Sequence, residues 1–104
     1  MLPKKKRATK ELFLSIMKNG EVLYGSFFVF RYIKQDRPQY AFVAPKSVAR
    51  KATERNKLRR LGYNAIRSIE AKNVAGLFFY KKQGVVASKE EIKNEIIFLL
   101  KKIK

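Results

Sequence analysis

With 104 residues the chain has the length of one domain with its own core, and its 46% hydrophobic and 12% aromatic content excludes disorder. Its 25 Lys and Arg against 8 Asp and Glu give a net charge of +17, a field that selects polyanions, nucleic acid first and an anionic membrane surface second. Cysteine and histidine are absent, which excludes disulfides and thiolate metal sites and removes the commonest general base.

Residues 1–8 read as a flexible basic arm, carrying Lys4, Lys5, Lys6 and Arg7. Thr9 is the expected N-cap of a short helix with Glu11 in its first turn, apolar Leu12, Phe13, Ile16 and Met17, and Asn19-Gly20 as its stop. "LFLSIM" is too short for a secretory signal, and no run approaches the roughly 18 to 20 apolar residues of a membrane span. The expected compartment is therefore the cytoplasm. From Glu21 to Ile33, β-branched and aromatic residues predict one long strand, or two short ones broken at Gly25-Ser26. "KQDRP" is a turn and "QYAFVA" the returning strand, with Pro45 at its exit.

A long helix is expected from about Ser47 to about Glu70, with Gly62 a local weakness or a point of close packing. "VAGLFFYKK" is the next strand. "SKEE" forms a capping box, Ser88 with Glu91, opening a last helix with Ile92, Ile96, Leu99, Leu100 and Ile103 at core-facing spacing. The order α-β-β-β-α-β-α predicts a single α+β domain over 1–104, a two-layer α/β sandwich with helices on one sheet.

The long helix holds the functional signal. From Lys46 to Arg60 there are seven Lys or Arg and one acid, Glu54. A solvated helix normally alternates signs. At ~100° per residue, Leu58, Leu61, Gly62, Ala65 and Ile69 share one face. Arg55, Asn56, Arg59, Arg60, Tyr63 and Arg67 share another, with Arg50 and Lys57 on the flank. Guanidinium forks suit phosphate oxygens, the amide suits sugar or base edges, and the phenol suits stacking. This face predicts docking onto RNA or DNA. The acids point elsewhere: Glu11, Glu90 and Glu91 suit helix N-termini and Asp36 a turn, so no catalytic or metal-binding cluster is expected in the protein.

"PKSVARKATERNKLRR" goes further than charge. It resembles the stretch that opens the long helix in the protein component of bacterial ribonuclease P, the RNR motif. Lys46, Lys51, Ala52, Arg55, Asn56 and Arg60 match that pattern directly, and Arg59 keeps the charge of the family's Lys. Helix, strands and late strand–helix pair follow in the same order, so the resemblance covers nearly the whole chain. Pro45 stands in place of the family's usual Ser, and Leu61-Gly62-Tyr63-Asn64 follows the basic pair where the family commonly has another Arg. Arg67 lies one turn later. Phe13 fits the first of two family Phe residues while Met17 replaces the second, and the family's strand aromatic aligns with Arg31 or Tyr32.

The resemblance implies a fold like the second domain of ribosomal protein S5, with a left-handed βαβ crossover. It implies a subunit of ribonuclease P that binds the catalytic RNA and the 5′ leader of precursor tRNA. The RNA partner, holding most of the Mg2+, would cut the leader away, with no protein partner and no membrane required. RNA-binding residues carried by the motif and helix face are Lys46, Arg50, Lys51, Arg55, Asn56, Lys57, Arg59, Arg60, Tyr63 and Arg67; Phe13, Met17 and Arg31 would line the leader cleft. The alternative is a ribosomal-type structural RNA-binding protein without a processing role.

Overall fold

The computed structural model describes residues 10–70 and 72–103; the basic arm and the Thr9 cap lie outside them. Eight elements follow in order: α1 (Lys10–Asn19), β1 (Glu21–Tyr24), β2 (Phe28–Lys34), β3 (Gln39–Val43), α2 (Ala52–Arg67), β4 (Val74–Tyr80), the single turn α3 (Lys82–Val85) and α4 (Lys89–Lys101). The expected order is present with α3 added. Four residues are too few to show a helical period, so α3 carries no signal in the sequence.

The strands form one sheet in the order β1-β2-β4-β3. β2 is antiparallel to both neighbours, whereas β3 and β4 are parallel and α2 connects them as a βαβ unit. The returning strand β3 therefore does not pair with β2, as a hairpin reading of "KQDRP" suggests. β4 takes the place between them. Its run "VAGLFFY" is buried at six of seven positions, and a strand apolar on both faces belongs in the middle of a sheet. The stretch 21–33 is two strands. Glu95 of α4 explains the break: its carboxylate accepts the backbone N–H of Ser26 at 2.8 Å, Phe27 at 2.6 Å and Phe28 at 2.9 Å. A buried carboxylate answered by three donors fixes the β1–β2 corner, and a Cβ at Gly25 would sit 2.8 Å from it.

On the inner face, Leu23, Phe30, Phe78 and Phe42 lie in one row by register. Their rings stack, Phe30 on Phe78 at 4.3 Å and Phe78 on Phe42 at 4.8 Å, each such pair contributing about 0.5–1.5 kcal/mol beyond burial. α2 and α4 close over this row with Leu58, Ile66, Ile92, Ile96 and Leu99. The outer face receives α1, whose Ile16 packs on Ala75 and Leu77 with Leu12, Phe13, Ile33, Ala41 and Phe79 around it. The α+β sandwich thus has its main core on one side and a smaller one under α1.

α2 starts later than the sequence suggests, at Ala52, and ends at Arg67. Residues 46–48 instead form a turn, with Val48 and Ala49 N–H donating to the Pro45 carbonyl. The Ser88–Glu91 capping box is present in both directions, at 3.0 and 3.2 Å.

Candidate nucleic-acid interface

Burial of Leu58, Gly62 and Ile66 turns the opposite side of α2 outward. Thr53, Asn56, Lys57, Arg60, Asn64 and Arg67 are exposed there. Lys46, Arg50 and Lys51 are exposed just before the helix, where the partial positive charge of its N-terminus adds to theirs. Nine of the ten expected RNA-binding residues are thus solvent-accessible to some degree. They fall into two groups.

The first group is exposed. Lys57 and Arg60 project from the centre of the exposed face, and Arg67 extends that face by nearly two turns. The second group also builds the site. Arg55 is half-buried, and its Nη1 donates to the carbonyls of Ala49 at 3.0 Å and Arg50 at 2.7 Å. Lys51 supplies no side-chain cap, and the guanidinium ties down the loop before α2 through that loop's own carbonyls. Arg59 donates to Asn56 Oδ1, which leaves the amide N–H groups of Asn56 as donors on the exposed face. Arg55 and Asn56, at the heart of the motif, are thus each held by a hydrogen bond, Arg55 to the loop and Asn56 to Arg59.

Tyr63 is a correction. It is only 8% exposed, its ring meets Phe42 edge-on at 5.1 Å, and its hydroxyl lies 3.4 Å from the Phe42 N–H on the outer edge of β3. The helical wheel put Tyr63 beside the cations, but a long side chain on the flank reaches the sheet edge and buries its ring there. It is a core residue.

The second predicted region lies on the outer face of the sheet. Phe13 leans edge-on against Phe79 at 6.4 Å, and Met17 stands 39% exposed at the rim of α1. Strand alternation settles which of Arg31 and Tyr32 faces α1. Arg31 is in line with Leu77 and Val22 on the outer face. Tyr32 points into the core, and its hydroxyl donates to Glu21 at 2.6 Å. That bond to a carboxylate, with burial adding to it, pushes the Tyr32 phenol up to about 12. Phe13, Met17 and Arg31 therefore flank one surface. Sequence reading omitted Val43 from it; the period-two alternation of its strand was the available signal.

Three of the eight acids are committed elsewhere. Glu95 holds the β1–β2 corner, Glu21 holds Tyr32 and Glu91 caps α4. Among the described residues no group of three or more potential ligands converges on a metal position, and no helix is long and apolar enough to cross a membrane.

The ribonuclease P family model matches residues 2–104. The chain belongs to the ribonuclease P protein family. No curated protein sequence gives a significant match. Among solved structures, the ribonuclease P protein of Thermotoga maritima is similar, with 26% identity over 88% of this chain and 91% of that one and a TM-score of 0.78. Two Staphylococcus aureus ribonuclease P protein structures share the fold. One is a mutant at 19% identity, covering 94% of this chain and 87% of its own, with a TM-score of 0.83. The other is at 23% identity, covering 97% and 91%, with a TM-score of 0.69. As a ribonuclease P protein the chain is an RNA-binding subunit of the tRNA-processing machinery, and its four-stranded α+β fold is that of the family.

Proposed function

We propose that the exposed face of α2 docks on the catalytic RNA of ribonuclease P while the outer face of the sheet beside α1 holds the 5′ leader of precursor tRNA. The observation that carries this reading is the division of charge. Lys57, Arg60 and Arg67 stand on one exposed helix face, with Lys46, Arg50 and Lys51 at its start, while Glu95, Glu21 and Glu91 are taken up by the fold. Self-repulsion on such a face is relieved by phosphates.

In this division of labour the RNA breaks the phosphodiester bond and holds the Mg2+. The chain has no histidine or cysteine, and its described carboxylates do not converge, so its residues do not fit a metal-nuclease centre. Arg60, Lys57 and the Asn56–Arg59 pair bind and orient. Phe13 and Met17 offer apolar contact to unpaired bases, and Arg31 offers its guanidinium to the leader phosphates.

Cleavage of precursor tRNA by the cognate RNA at low Mg2+, with and without this protein, tests the reading. Strong stimulation by the protein is expected. RNA binding without any stimulation would instead identify a structural RNA-binding protein.

A further inference from the structure

The outer face of the sheet extends beyond the part that α1 covers. By register, Tyr24 on β1 faces Val29 on β2, Val29 faces Phe79 on β4, and Phe79 faces Val43 on β3. One row of side chains therefore crosses all four strands, three inter-strand steps or about 14 Å. Phe13 of α1 closes over the Phe79 position. Val22, Tyr24, Val29 and Arg31 lie outside the small core under α1.

Tyr24 ends this row on the free edge of the sheet. It is 71% exposed, and among the described residues no ring or cation packs against its own. Its strand neighbour Leu23 enters the inner core, so alternation fixes the Tyr24 side chain on the α1 side. Arg31 stands opposite Val22, which makes it the diagonal neighbour of Tyr24, within reach of a long side chain. A bare aromatic ring beside a guanidinium, at the end of an apolar row in a protein of net charge +17, matches one kind of occupant. The ring takes the face of an unpaired base and the guanidinium takes its phosphate. An apolar protein partner would leave Arg31 without a counter-charge.

We infer that Tyr24 is a distal stacking residue for the single-stranded leader, which crosses the sheet from α1 along Phe79 and Val29 and places a base on Tyr24 with its phosphate against Arg31. This rests on the proposed leader binding and adds a subsite beyond Phe13, Met17 and Arg31. It makes the β1 edge the place where leader length is read.

The test uses the holoenzyme reconstituted with its RNA and precursor tRNAs whose leaders are lengthened one nucleotide at a time. With wild-type protein, affinity is expected to rise with leader length and then level off. With Tyr24→Ala the plateau should arrive earlier, leaving long-leader substrates about fivefold weaker, the lower end of base–aromatic stacking. Tyr24→Phe keeps the ring and should restore the wild-type profile. An unaltered length profile in Tyr24→Ala would overturn the inference. A wild-type profile flat in leader length would instead overturn leader binding itself, and the subsite with it.

Discussion

Arg55 and Arg60 are neighbours in one motif but do different work. Arg60 is exposed and bonds no other side chain or carbonyl among the described residues, whereas Arg55 bonds two loop carbonyls. Both Arg55→Ala and Arg60→Ala should weaken RNA binding. Only Arg55→Ala should also lower thermal stability, because it leaves the Ala49 and Arg50 carbonyls without their donor, about 1–2 kcal/mol. A melting curve beside a binding isotherm for each variant checks this. Tyr63 makes the complementary case. Tyr63→Phe removes a long 3.4 Å contact and no RNA-facing group, so RNA affinity should stay at the wild-type value. A clear loss of affinity without loss of stability would return Tyr63 to the interface.

At the scale of elements, two joints hold the site in place. The first is α2 against β3. A Cβ at Gly62 would clash with the ring of Phe42, so this glycine allows close helix–sheet approach. Gly62→Ala gains about 1 kcal/mol of helix propensity but overpacks a full core, which typically costs about 1–3 kcal/mol. The net expectation is a lower denaturation midpoint and a displaced cationic face with weaker RNA binding. The second joint is α4 against the β1–β2 corner through Glu95. Glu95→Ala strands three backbone donors at once, and a loss of about 2–4 kcal/mol in urea unfolding is expected. That corner directly precedes β2 and its Arg31, so the same variant should also loosen the leader surface. Elsewhere legibility was high: the capping box, the amphipathic α4 and the strand β4 were plain because each depends on neighbours along the chain. The start of α2 was not, because residues 46–48 close a turn on the Pro45 carbonyl and the loop after them is tied by a guanidinium four residues into the helix.

For the molecule as a whole, the charge of +17 opposes the compact state and favours the complex. Salt should therefore act with opposite signs on the two. Screening should raise the melting temperature of the free protein, while affinity for the RNA falls with a log–log slope of about −0.7 to −0.9 for each phosphate contact. Calorimetry of the free chain and binding titrations over one salt series measure both. A common sign would contradict the phosphate-docking reading.

The residues alone determined the polyanion partner, the element types, the Arg-Asn motif and the family, because charge, periodicity and local spacing are properties of consecutive positions. Only the tertiary structure decided that β4 enters between β2 and β3, that Tyr63 turns inward to Phe42, that Arg31 rather than Tyr32 faces α1, and that Tyr24 ends the open row. These depend on which strands lie side by side, and strand order is set by packing between segments far apart in the chain.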